Sequence, residues 1–298
     1  MMQQRAVHDS EVRRLIAVWN ALAPPLRPSP SDVELFAQSL EKWDEPRIMV
    51  QGATPELVDL ALRNNAKRAI AMDYSISSLT AMQQLACEDW SRLEYYQNDW
   101  RVFAPELEGT VDAVLGDGTL TMLDFPKEWE DVIRNFKRYL VQGGRLVLRL
   151  GFLAEEPFHI DSYIRSLLSN VASRSARAEP EERRRMLREM VSEARIAFGI
   201  ASAEANGVVN PSLRAEMVSL FHNDCEARFA CFKEWESVRP GIPSPLDVWK
   251  ENRSGKSFPP WEETADLLQV CGFYIKSIQG SGTRPFPGAM RLLVAERD

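Results

Sequence analysis

Apolar residues follow two alternating rhythms along this chain. Short, nearly continuous runs, Arg47 to Gln51, Arg68 to Met72, Val111 to Leu115 and Arg145 to Leu150, read as buried strands. Between them, Glu56 to Asn65, Ile76 to Cys87 and 127–140 carry apolar positions every three or four residues and read as amphipathic helices. Strand followed by helix, repeated, predicts a parallel sheet with helices on both faces. Two helices come before the first strand. One covers 10–22, with Val12, Leu15, Ile16, Trp19 and Leu22 on one face; the other follows the breaker-rich stretch 23–32, with Ser31 as its cap.

After Leu150 the pattern changes. Residues 152–257 keep only the helical period, in segments opening at Asp161, at Glu179-Pro180 and at Asn210-Pro211, the last two with proline in the first turn. Strand patterning then returns. A helix from Trp261 to Val270 stops at Gly272, and Phe273 to Gln279 and Met290 to Glu296 form a closing strand pair around the loop Ser281 to Gly288.

Composition narrows the function. With 298 residues, 45% hydrophobic, and a formal net charge of −7, the chain can bury a large core but is a poor electrostatic match to a polyanion. Nucleic acid is therefore not expected as a partner, and a small molecule is. The triplet Arg183-Arg184-Arg185 is interleaved with glutamates and reads as a solvated helix face. No apolar run reaches membrane-spanning length, and the charged start lacks a signal-peptide core, so a soluble cytoplasmic protein is expected. The four cysteines, Cys87, Cys225, Cys231 and Cys271, form no paired motif, so neither disulfides nor a metal site is expected.

Candidate chemistry gathers at the strand ends. Gly52 sits in a tight turn between the first strand and a helix opened by Glu56, and Asp73 closes the second strand about 20 residues on, where nucleotide folds place the acid that grips ribose hydroxyls. That pairing implies an adenosine-containing cofactor. Thr54 and Glu56 stand where a dinucleotide fingerprint has further glycines, which argues against a pyrophosphate. Gly116-Asp117-Gly118 ends the fourth strand, at the edge where open α/β sheets bind ligands.

Met49 to Glu56, Asp73, Asn98-Asp99-Trp100, Val111 to Leu120 and Gly143 to Leu150 resemble, in order and spacing, the successive motifs of class I S-adenosylmethionine-dependent methyltransferases. The likeness is strongest to the branch with a Gly-x-Thr-Pro-Glu cofactor loop. It implies a Rossmann-like doubly wound α/β sheet with a C-terminal antiparallel strand, N-terminal accessory helices over 1–45, a cofactor-binding core at 46–151 and 258–298, and an inserted helical substrate-recognition cap at 152–257. S-adenosylmethionine is the implied cofactor and S-adenosylhomocysteine the product.

The resemblance also assigns roles. Gly52, Ala53, Thr54, Pro55 and Glu56 form the cofactor loop; Asp73 binds the ribose; Asp99 accepts from the adenine amino group and Trp100 packs on the ring. Gly116, Asp117 and Gly118 border the sulfonium, and Asp117 leads as the contact to the cofactor's amino group or to the substrate. Arg27, held between prolines, could reach a carboxylate. Of the three histidines, His8 lies in the N-terminal tail, while His159 and then His222 are the candidates for a general base.

Two other readings share these residues: a non-catalytic cofactor-binding scaffold, and an NAD-dependent oxidoreductase, which would need a better phosphate loop. Homodimerisation through the inserted helices is the structural rival to the cap.

Overall fold

The computed structural model describes residues 9–154, 159–244, 256–280 and 290–298. His8 and the loop Ser281 to Gly288 lie outside these. Helices α1 (Asp9–Ala21) and α2 (Pro30–Gln38) precede an alternating series: β1 (Arg47–Gln51), α3 (Pro55–Arg63), β2 (Arg68–Asp73), α4 (Ile76–Gln83), β3 (Leu93–Gln97), β4 (Val111–Asp117), α5 (Lys127–Tyr139) and β5 (Leu140–Gly151). Then come α6 (Ile160–Ser175), α7 (Pro180–Ala201), α8 (Pro211–Phe229) and the short α9 (Trp235–Val238). The chain closes with α10 (Trp261–Val270), β6 (Phe273–Gly280) and β7 (Met290–Arg297).

The strands form one seven-stranded sheet in the order β3-β2-β1-β4-β5-β7-β6. The first five are parallel, and β7 enters antiparallel between β5 and β6. Order reverses between β1 and β4, so their carboxyl ends open a crevice where the flanking connections diverge to opposite faces. One face of the sheet buries Trp129, Ile133 and Phe136 of α5 with Leu268 of α10; the other buries Phe36, Leu57, Val58 and Leu79 from α2, α3 and α4. Each such side chain contributes on the order of 1.5–3 kcal/mol of burial.

Two local expectations change. Ser29, not Ser31, caps α2: its hydroxyl accepts from the Asp32 amide at 3.1 Å while Asp32 accepts from the Ser29 amide at 2.8 Å, with Pro30 in the first turn. Helix α4 stops at Gln83 rather than Cys87 because the buried Asp59 on α3 captures the Cys87 amide at 2.9 Å and the Trp90 indole at 2.7 Å. That carboxylate gives the backbone a partner outside the helix.

The inserted helices have a core of their own, with Leu168, Leu187, Met190, Phe198, Phe221 and Phe229 buried together. They are tied to the N-terminal segment, where Ser192 on α7 accepts from the Ala23 amide at 2.8 Å and the Arg188 guanidinium caps the Leu22 carbonyl at 2.5 Å.

Candidate active site

At the carboxyl ends of β1, β2 and β4 lies a cavity of about 370 Å³. Its floor is built from the turn after β1. Gly52 has φ +82°, and a Cβ there would stand 3.3 Å from Thr119 Cγ2, 3.7 Å from the Trp100 ring and 3.9 Å from Asp73 Oδ2. Three lining side chains thus crowd one glycine, whose backbone a larger residue would strain. The Met72 carbonyl accepts both the Gly52 amide and the Trp100 indole, each at 2.8 Å, which fastens the ends of β1 and β2 to the loop after β3. Ala53 and Thr54 continue the floor; Thr54 is the N-cap of α3 and Pro55 takes its first turn.

Gly116 has a different reason. A Cβ there would come within 2.7 Å of Leu148 and 2.9 Å of Gln51 Oε1, the oxygen that accepts the Thr119 hydroxyl at 2.6 Å. It clears space behind the floor and is not among the residues lining the cavity. Gly118 is, with φ +64° and its amide donated to the Arg149 carbonyl at 2.8 Å.

The two acids on the floor differ. Asp73 is buried; its Oδ1 accepts the Ser75 amide at 2.8 Å, and burial outweighs that bond and pushes its carboxyl up to about 6. Asp117 meets Arg149, whose Nε donates to Oδ1 at 2.6 Å while Nη1 donates to the Pro25 carbonyl at 2.9 Å and stands 3.8 Å from Asp32. Burial pushes the Asp117 carboxyl up against the pull of Arg149. Burial also draws Arg149 down, but Asp117, Asp32 and Glu56 outweigh it and hold the guanidinium charged.

Arg27 donates to Glu56 Oε1 at 2.9 and 2.5 Å from Nε and Nη2 and lies over the Trp19 ring. Glu56 Oε2, the Gln51 amide nitrogen and the Trp19 indole nitrogen are buried with no hydrogen-bond partner among the described residues. Asp99 turns to Arg101, bonded at 3.0 and 2.6 Å, and this pair holds its carboxyl below the ordinary value. It stands beside Trp100 but outside the lining. Neither histidine is brought to the cavity. His159 is exposed at the start of α6, and His222 is half-buried on α8 with its Nε2 3.7 Å from Glu226.

Accessory helices and an inserted cap were expected near the strand ends, but the particular residues of the remaining walls were not singled out. Leu15, Val18 and Trp19 of α1 and Met82 of α4 close one side, and Arg195, Ile196 and Gly199 of α7, Arg214 of α8, Lys256, Phe258 and Met290 close another. Phe258 is seated by glycines: a Cβ on Gly151 or Gly199 would lie 2.7 or 2.5 Å from its ring, and one on Gly207 2.6 Å from its carbonyl oxygen. A charged residue inside the apolar run of β5 was the available signal for Arg149. For the insertion's residues no local signal existed.

Residues 52–148 match the family model described as "Methyltransferase domain". No curated protein matches the chain. Among solved structures, a Rhodobacter sphaeroides protein described as a Zn-dependent alcohol dehydrogenase aligns at TM-score 0.57 and 14% identity over 98% of this chain and 100% of its own. A possible exported protein of Bordetella parapertussis aligns at 0.50 and 13% over 99% and 80%, and a Mesorhizobium loti S-adenosylmethionine-dependent methyltransferase at 0.49 and 12% over 89% and 96%. At such identities the first two show the common fold alone, and the third carries no further argument.

The matched domain, residues 52–148 on this sheet, supports an S-adenosylmethionine-dependent methyltransferase of class I. S-adenosylmethionine is accordingly its cofactor and S-adenosylhomocysteine the product. Among the described residues no group of three or more His, Cys, Asp or Glu is placed to hold a metal ion, and no helix is long and apolar enough to cross a membrane.

Proposed function

We propose that this enzyme methylates a small-molecule acceptor, with the core holding the cofactor and residues 152–257 acting as the substrate-recognition cap. The observation that carries the reading is the shared cavity: one space of about 370 Å³, the size of a small-ligand site, is walled by strand ends on one side and inserted helices on the other. A macromolecular acceptor would need an open, extended surface.

The floor fits the cofactor. Asp73 accepts from ribose hydroxyls, Trp100 offers a flat face to the adenine, and Asp99 at the rim accepts from the adenine amino group, since a carboxylate has lone pairs beyond those given to Arg101. Gly52, Ala53 and Thr54 let the ligand approach the start of α3, and the indole nitrogen of Trp19, which lines the cavity, offers it a donor. The bound sulfonium supplies an electrophilic methyl group whose bond electrons return to sulfur. The protein's part is to align and desolvate the acceptor. Arg149 neutralises Asp117, so that carboxylate serves to hold the floor together and not as a base.

Incubation with methyl-labelled S-adenosylmethionine and fractionated cell extract is expected to place label in the small-molecule fraction. Label confined to protein or nucleic acid would overturn the reading; tight S-adenosylhomocysteine binding with no transfer to any fraction would favour a scaffold. Homodimerisation through the insertion has its own support, because Leu213 and Leu220, two turns apart on α8, are 40% and 61% exposed. Sedimentation of Leu220→Glu against the parent tests it, with loss of a dimer expected.

A further inference from the structure

We infer that Phe258 is the specificity-determining residue at the acceptor end of the cavity: its ring, gripped by its two edges between core and cap, is an apolar seat for the acceptor and sets the size of the body admitted there. This rests on the small-molecule methyltransferase reading above and adds which end of the cavity meets the acceptor and which residue selects it.

Strand order separates the two ends of the cavity. Asp73 ends β2 and Gly118 follows β4, whereas Gly151 at the end of β5 lies opposite Met290 at the start of β7, and all four residues line the cavity. Neighbouring strands are about 4.8 Å apart, so β5 stands roughly 14 Å from β2. A cofactor with its ribose at Asp73 and its sulfonium over β4 therefore directs its methyl group toward the ends of β5 and β7. Phe258 stands there, against Gly151 and Met290.

The ring is held by the absence of side chains around it. A Cβ on Gly151 would meet Phe258 Cε1 at 2.7 Å and Cδ1 at 2.8 Å, and one on Gly199 would meet Cε2 at 2.5 Å and Cζ at 2.6 Å. Opposite edges of one ring thus rest on a glycine of the core and a glycine of the inserted helices, which leaves a face of the ring for the cavity it lines. Gly199 is still within α7, where glycine is unfavourable relative to alanine, and room for the ring accounts for it. The backbone is pinned as well. The Phe258 amide donates to the Gly207 carbonyl at 2.7 Å, the Ser257 amide to the Thr121 carbonyl at 3.1 Å, and the Leu153 amide to the Pro259 carbonyl at 3.2 Å. Ile196 and Met290 pack with Phe258 and share the lining, so the seat is apolar beyond the ring itself. A ring fixed from both sides does not yield to an oversized ligand, and the space in front of it discriminates by size.

The test uses the full chain saturated with S-adenosylhomocysteine and measures calorimetric binding of toluene and naphthalene, apolar probes of one ring and two. Phe258→Ala is expected to shift the ratio of the two affinities about tenfold toward naphthalene, and Phe258→Leu to shift it the same way by less. Gly199→Ala, whose methyl group competes with the ring for one place, should weaken toluene binding about tenfold. S-adenosylhomocysteine affinity should stay at the parent's value in all three, and should Phe258→Ala fail to fold, Phe258→Leu decides on the same ratio. An unchanged ratio, parent-like toluene binding by Gly199→Ala, or no binding of either probe to parent protein that still takes up S-adenosylhomocysteine would overturn the inference and leave the methyltransferase reading standing. Failure of the parent to bind S-adenosylhomocysteine would strike that reading instead.

Discussion

The ends of β2 and β4 look alike in sequence, each delivering an aspartate to the same crevice, yet the structure treats them oppositely. Asp73 is buried with one backbone amide for company and its carboxyl pushed up to about 6. Asp117 is joined to an arginine 1% exposed that also ties Pro25 and Asp32 from the N-terminal segment to β5. Among the described residues the first acid has no charge partner and keeps lone pairs for donors from outside; the second has its partner within the fold. Burial alone therefore does not mark a ligand-binding carboxylate. What separates the two is whether the protein already neutralises it.

The largest effect should come from breaking the internal pair. Arg149→Met leaves Asp117 and Asp32 buried without their cation and is expected to cost about 3–5 kcal/mol in denaturant unfolding. Adding Asp117→Asn to it should recover part of that loss. If Arg149→Met unfolds at the parent's midpoint, the pair is not what secures the N-terminal segment to the sheet.

Asp73 should respond in the opposite way. Asp73→Asn is expected to weaken S-adenosylmethionine binding by about 1.5–3 kcal/mol by calorimetry while leaving ligand-free stability equal or higher, because an uncompensated buried charge is removed. The pH dependence follows from the same residue. Its folded value of about 6 lies above the ordinary 3.8, so its contribution to stability is fully present below 3.8 and is lost as pH rises through about 6. Binding needs the carboxylate and runs the other way. S-adenosylhomocysteine affinity should fall as pH drops below about 6, with a proton released on binding there, and Asp73→Asn should flatten that profile. A parent profile level from pH 7 to pH 5 would remove Asp73 from the ribose role.

These contrasts also mark what the sequence could carry. The strand and helix order was legible because parallel strands covered on both faces become unbroken apolar runs and the covering helices keep their 3.6-residue period. Gly52, Asp73, Trp100, Asp117 and Gly118 were legible as lining residues because strand ends point where the topology sends them. The partner of Asp117 was not, since Arg149 lies on a different strand and only the register of β4 against β5, Asp117 opposite Arg149, brings them together. Nor were Arg195, Arg214 and Lys256, because their meeting depends on how α7, α8 and the returning segment cross. The histidines failed for the same reason: proximity in sequence to a strand end or an aromatic does not set which way a helix turns its face.

The smallest expected effect separates the rim from the floor. Asp99 is 38% exposed at its side chain and bonded to Arg101, so as an ion pair it contributes little, and Asp99→Asn should change unfolding by less than about 1 kcal/mol. Its proposed work is acceptance from the adenine amino group beside Trp100. An asparagine can present either an oxygen or an N–H₂ to the same place, so it loses the carboxylate's preference for a donor. The parent should therefore bind S-adenosylhomocysteine about fivefold to tenfold better than its deaminated inosine analogue, which carries an acceptor where adenine carries a donor, and Asp99→Asn should bring the two ligands within about twofold. If the variant keeps the parent's discrimination, Asp99 belongs to Arg101 alone, and the adenine is read by the backbone around Asn98 and Trp100.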